Sequence, residues 1–132
     1  RNGWMMAIAP NSSTAKIGGS TDGIDPLYAV EYAEEKKNFK FIVTAPELTH
    51  ITYPYYQKVR HEIEQKWSIK QNAARQRHID QSVSFNLYVQ HNVKALDLLN
   101  LHLEAWKQGL KTTYYVRSTS QAEMDECQAC HS

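Results

Sequence analysis

The chain has no surplus of either charge and no long apolar run, and it holds only two cysteines. Each shortage excludes something. Fifteen Lys and Arg stand against fourteen Asp and Glu, a formal net charge of +1, so no basic field points to nucleic acid or an anionic membrane. No apolar stretch comes near the roughly 20 residues that a bilayer-crossing helix needs. The opening RNGWMMAIAP carries one positive charge, a short apolar stretch and no cleavage pattern before NSST, so no signal peptide is read there and a cytoplasmic chain is expected. Two cysteines are too few for a disulfide scaffold and fit a reducing compartment. The six histidines, His50, His61, His78, His91, His102 and His131, form no HExxH or other metal spacing, and we assign the chain no metal.

What is present amounts to one domain, since 132 residues can build one core but not two. WMMAIA, residues 4 to 9, is buriable and is stopped by Pro10. GIDPLYAVEYAEEKKNFKF reads as a turn at Asp25-Pro26, a short helical stretch and a solvated charged knob, EEKK. FKFIV is strand-like and ends at Ala45-Pro46. In TYPYYQKVRHEIEQKW, Pro54 suits a first helical turn, and Tyr56, Val59, Ile63 and Trp67 recur on one face as a core stripe. A second helical piece follows, roughly QNAARQRHI.

In SVSFNLYV the period changes to two, with Val83, Phe85, Leu87 and Val89 on one side of a strand. Asn92 is placed to cap the next helix, and Leu96, Leu99, Leu103 and Trp106 line one of its sides. Gly109 stops that helix with Lys107 in its last turn, and LKTTYYVR is a further strand. Strand, helix and strand in this order predict a right-handed crossover and an α/β architecture.

Three stretches carry possible chemistry. PNSSTAKIGGSTDG is rich in hydroxyls and glycine and reads as a surface turn or as an anion cradle of Ser/Thr hydroxyls and backbone N–H groups. It lacks the GKS or GKT of a Walker loop. Tyr114 and Tyr115 are two packed aromatics, or two oxidisable phenols in series. Cys127 and Cys130, in the terminal DECQACHS, have the close spacing and access of a dithiol that cycles with a disulfide. With His131 they make three zinc donors that lack a fourth.

Taken together, APNSSTAKIGGSTDGIDP, RQRHIDQSVSFNLYV, GLKTTYYVR and DECQACHS resemble, in order, four segments of the carboxy-terminal part of the large (alpha, catalytic) subunit of class I ribonucleoside-diphosphate reductase. The resemblance implies the C-terminal portion of a ten-stranded α/β barrel over residues 1–117 and a flexible redox-active tail over 118–132. By the same resemblance Pro10, Asn11, Ser12, Ser13 and Thr14 occupy the loop that holds the substrate diphosphate, where relatives carry Pro-(Thr/Ser)-x-Thr-(Ser/Ala). Asn11 stands in place of the usual hydroxyl. Tyr114 and Tyr115 match the two tyrosines that relay a radical, and Cys127 and Cys130 match the tail pair that re-reduces the active-site disulfide.

The implied reaction is radical reduction of ribonucleoside diphosphates to deoxyribonucleoside diphosphates. The implied partners are the remainder of the alpha subunit, a beta subunit carrying a di-iron or manganese radical cofactor, and thioredoxin or glutaredoxin. The family's radical-forming cysteine, its two reducing cysteines and its allosteric nucleotide-binding cone have no counterpart between Arg1 and Ser132. The chain is therefore expected to be inactive alone and to be a split or processed piece of something longer. From Tyr115 to Cys127 the extended limit is about 40 Å. Two other readings are a noncatalytic protein that retains a fragment of this fold, and an independent small dithiol oxidoreductase.

Overall fold

In a computed structural model the structure describes residues 1–21, 23–36 and 39–119, with the side chains of residues 36 and 39 left aside. The element order is α1 (Ser12–Ile17), β1 (Glu31–Lys36), β2 (Phe39–Thr44), a 3-10 helix (Tyr53–Tyr56), α2 (Gln65–Gln76), β3 (Leu87–Val89), α3 (Ala95–Lys107) and β4 (Val116–Ser118). The chain divides into two compact units, one of Pro10–Ile63 and one of Arg1–Ala9 with the residues from Glu64 onward.

In the Pro10–Ile63 unit, β1 and β2 form an antiparallel hairpin that pairs Tyr32 with Val43 and Glu34 with Phe41. Those four residues are half-buried, whereas Glu31, Ala33, Lys40, Ile42 and Thr44 between them are exposed, the alternation that a sheet with one covered face requires. The helical stretch expected over this segment is therefore a strand. EYAEEK favours helix by local propensity, but cross-strand packing of Tyr32 and Glu34 on Val43 and Phe41 overrides it. The charged knob is corrected too, because Glu34 lies on the inner side and pairs with Lys16 of α1.

Pro54 does sit in the first turn of a helix, the short 3-10 helix. Beyond it the expected continuous helix is interrupted. The Glu62 carboxylate folds back to accept the Val59 N–H at 2.9 Å, the reach of a capping-box glutamate, and closes a turn before α2 begins at Gln65.

In the other unit α2 buries Gln65, Ser68, Ile69, Asn72, Ala73 and Gln76. The spacing of three and one is that of a single helical face, but four of the six residues are polar. Three of the four make side-chain bonds: Asn72 Nδ2 donates to the Ser68 carbonyl at 2.9 Å, and Gln76 Nε2 donates to the carbonyls of Ile79 and Gln81 at 3.2 and 2.7 Å. Gln65 Oε1 accepts the buried Tyr88 N–H at 2.9 Å and so ties α2 to β3. Trp67, expected in the core, is 58% exposed with the Lys70 ammonium 5.2 Å from its ring centre.

The core of this unit is Ile69, Val83, Phe85 and Leu87, all essentially inaccessible. Val83, Phe85 and Leu87 are three of the four residues whose alternation marks the strand. Removing a buried Phe85 or Ile69 side chain would cost about 2–5 kcal/mol. β3 and β4 pair in parallel, with Leu87 opposite Val116 and Val89 opposite Ser118, joined through α3 as the strand, helix and strand order predicts. A further parallel bridge joins Ile8 to Val83. Asp80 Oδ2 fastens the same stretch by accepting the N–H groups of Met5 and Met6, both at 3.0 Å.

Helix α3 starts two residues later than Asn92 would set it, with Lys94 as its N-cap and no side-chain cap. It ends as expected. Gly109 takes φ +87°, its N–H bonds to the Trp106 carbonyl, and the Leu110 N–H bonds to the Ala105 carbonyl, a Schellman closure with Leu110 and Ala105 both buried. Leu96, Leu99, Leu103 and Trp106 do line one side of α3, but that side is open, with exposures between 41% and 72%. Leu98, Leu101, His102 and Ala105 form the covered side.

Candidate functional site

The tyrosine pair is set by the approach to β4. The Tyr114 N–H donates to the Phe85 carbonyl at 2.9 Å, and the Tyr115 carbonyl accepts the Leu87 N–H at 2.8 Å. Between these bonds the Asn86 side chain enters the ladder: its Oδ1 accepts the Tyr115 N–H at 3.1 Å while its Nδ2 donates to the Tyr88 hydroxyl at 3.2 Å. A regular strand would send adjacent side chains to opposite faces. Here β4 begins only at Val116, and the two rings lie together, 4.1 Å between centroids and tilted by 52°.

Both rings are about half exposed. The Tyr114 hydroxyl is held above the ordinary phenol range, first by its hydrogen bond with Tyr115, then by the neighbouring Tyr115 charge and by burial; Arg117 opposes the rise. Arg117 itself lies over the other ring, its Cζ 4.6 Å from the Tyr115 centroid. Residues two apart on a strand share a face, so the spacing in YYVR was a legible signal for this contact. Neither Asn86 nor Arg117 was picked out by sequence reasoning.

Pro10 to Thr14 are exposed and form the entry to α1. The first helical bond runs from the Ala15 N–H to the Asn11 carbonyl at 3.1 Å, and the Asn11 side chain makes no cap. The amides of Ser12, Ser13 and Thr14 therefore precede the first intrahelical donor, on the same exposed stretch as their three hydroxyls. Buried Ala15 and the ion pair of Lys16 with Glu34 hold this short helix to the hairpin. Nearby, Lys16, Tyr28, Tyr32, Val43, Pro46 and Arg60 line a cavity of about 30 Å³, the size of one water and too small for a nucleotide.

Pro10 to Thr14 and the tyrosine pair thus belong to different units. Cys127, Cys130 and His131 lie outside the described residues. Among the described residues no group of three His, Cys, Asp or Glu is arranged to hold a metal, and no helix is long and apolar enough to cross a membrane.

The family model described as "Ribonucleotide reductase, barrel domain" matches residues 30–116, a span that includes β1 to β3, α3 and both tyrosines and ends at the first residue of β4. The chain belongs to the ribonucleotide reductase family. It is 46% identical over 132 residues to the ribonucleoside-diphosphate reductase subunit alpha of Treponema pallidum, covering 100% of this chain and 15% of that protein. It is 40% identical over 121 residues to the subunit alpha of Helicobacter pylori, covering 91% of this chain and 15% of that protein. Among solved structures it is similar to the alpha subunit of the class Id ribonucleotide reductase of Actinobacillus ureae, with a TM-score of 0.72 and 28% identity over 91% of this chain and 27% of that one.

The fold is accordingly a fragment of the reductase barrel, and the mixed α/β reading holds. The chain spans 15% of the length of these curated relatives. It corresponds to a fragment of the large subunit of an enzyme.

Proposed function

We propose that this chain supplies one wall of a ribonucleoside-diphosphate reductase site and that the remainder of the alpha subunit completes it. The assembled enzyme reduces ribonucleoside diphosphates to deoxyribonucleoside diphosphates for DNA synthesis in the cytoplasm. Tyr115 and Tyr114 relay the radical, in that order, from the beta subunit toward the cysteine that the remainder carries. The observation that supports this most directly is the contact of the two tyrosine rings, 4.1 Å between centroids and tilted by 52°, because transfer between two side chains needs close approach.

Pro10, Asn11, Ser12, Ser13 and Thr14 hold the substrate diphosphate. Exposed hydroxyls and the donor amides that open a helical turn are suited to phosphate oxygens. Cys127 and Cys130 exchange with the active-site disulfide after each turnover and are reduced in turn by thioredoxin or glutaredoxin. The chain binds no cofactor of its own, and the di-iron or manganese radical centre belongs to beta.

The test is co-expression with the remaining alpha segment and the beta subunit, followed by a cytidine diphosphate reduction assay. Tyr114→Phe and Tyr115→Phe keep the ring and lose the transferable hydrogen, so each should abolish turnover while leaving assembly intact. Normal reduction by either variant would refute the relay. Disulfide-reductase activity of the chain alone, beyond that of a simple dithiol, would instead favour an independent oxidoreductase.

A further inference from the structure

The two tyrosines are not equivalent. Arg117 lies over the ring of Tyr115, with Cζ 4.6 Å from its centre. Asn86 holds the Tyr115 backbone N–H at 3.1 Å, whereas the Tyr114 N–H is held by the Phe85 carbonyl, an ordinary ladder bond. Asn86 is fixed in turn by donating to the Tyr88 hydroxyl, and Tyr88 is 5% exposed. One ring therefore carries a cation on its face and a dedicated side-chain clamp.

We propose that Arg117 and Asn86 are positioning residues that make Tyr115 the harder ring of the pair to oxidise. This rests on the relay reading above and names the two side chains that bias the pair. A cation over a phenol is attracted to the negative face of the ring. Loss of a hydrogen atom leaves an electron-poorer phenoxyl, to which the guanidinium is less attracted, so its presence favours the intact phenol at Tyr115. Asn86 matters because the attraction depends on ring placement, which the Tyr115 backbone sets.

The step balances within the pair. The O–H bond of Tyr114 breaks and the O–H bond of Tyr115 forms. One proton and one electron leave Tyr114 together, which becomes the phenoxyl, and Tyr115 is restored as the phenol. The oxidant that first takes a hydrogen atom from Tyr115 is a radical of the partner subunit. No further reactant is needed between the two rings.

The test uses the full chain in two labelled forms, with 3,5-difluorotyrosine at position 114 or at position 115. Each is flash-oxidised by an excited ruthenium polypyridyl with a sacrificial electron acceptor, and the trapped radicals are read by electron paramagnetic resonance. Fluorine splitting reports the share of radical at the labelled ring; the other tyrosines and the tryptophans contribute only unsplit signal, common to both forms. With Arg117 present the share at 114 should exceed that at 115.

Arg117→Met and Arg117→Gln should each raise the 115-to-114 ratio about two- to five-fold, the range of an exposed cation–ring contact, while Arg117→Lys should keep part of the bias. Asn86→Ala should move the ratio the same way as Arg117→Met. A ratio unchanged in both Arg117→Met and Arg117→Gln, with circular dichroism unaltered, overturns the proposal. The readout needs neither substrate nor partner, so its failure leaves the relay standing. Failure of the relay appears separately, as turnover by the Tyr→Phe variants.

Discussion

The ring of Tyr114 rests against that of Tyr115 with 4.1 Å between their centres, and the hydrogen bond between them raises the Tyr114 phenol above its ordinary range. Tyr115→Phe removes that bond and should bring the Tyr114 pKa down. The sign for stability follows. A phenol whose folded pKa is raised favours the native state fully below the unfolded value near 10, and the benefit is lost as pH rises through the folded value. Tyr115→Phe should thus lower stability at pH 8, where that benefit is present, and the further loss of stability on going to alkaline pH should be smaller in the variant. Fluorine resonance of a 3-fluorotyrosine at position 114, titrated with and without Tyr115→Phe, checks the shift.

Gln65 is the second point of leverage. Its Oε1 is the acceptor for the buried N–H of Tyr88. Gln65→Leu keeps the volume and leaves that donor without this acceptor, which should cost about 1–3 kcal/mol. Urea unfolding should show the midpoint fall with little change in slope.

At Gly109 a methyl group would meet nothing within 4 Å, but the backbone sits at φ +87°. Gly109→Ala should therefore destabilise by about 1–2 kcal/mol through backbone strain alone. Gly109→Asn should cost less, since asparagine tolerates the left-handed region better. Thermal unfolding of the two variants ranks them.

A six-residue helix does not persist by itself, so α1 depends on the contact of Lys16 with Glu34. Glu34→Gln should weaken it by about 1–3 kcal/mol, between the values for exposed and buried pairs. Amide exchange at Ala15, Gly18 and Ser20 should quicken, measured residue by residue. Exchange at Ile69 and Leu87, in the other unit, should not change.

Where burial and period coincide, the chain announces its structure. Val83, Phe85 and Leu87 alternate, and all three are sealed in; Gly109 stops α3 because no other residue takes its backbone angle at low cost. The misreadings have one cause, long-range contact. EYAEEK has helix-forming composition and becomes a strand because Phe41 and Val43 lie across from it. The inner face of α2 is Gln65, Ser68, Asn72 and Gln76 around Ile69 and Ala73, which no apolar pattern could flag, while Trp67, Leu96, Leu99 and Leu103 mark the outer surface.

At the candidate site the tyrosines and the Pro10–Thr14 stretch were visible by motif. Asn86 was hidden among the polar residues of a strand, and Arg117 looked like any exposed cation. The partner of Asn86 becomes evident only once 86 and 115 are brought side by side across 29 residues of chain.

The bond from Met5 to Asp80 spans 75 residues. During translation at about 5–20 residues per second, the segment around Met5 waits roughly 4–15 s for the carboxylate that will hold it. Throughout that interval the backbone N–H groups of Met5 and Met6 lack the acceptor that ties their segment to the later half of the chain.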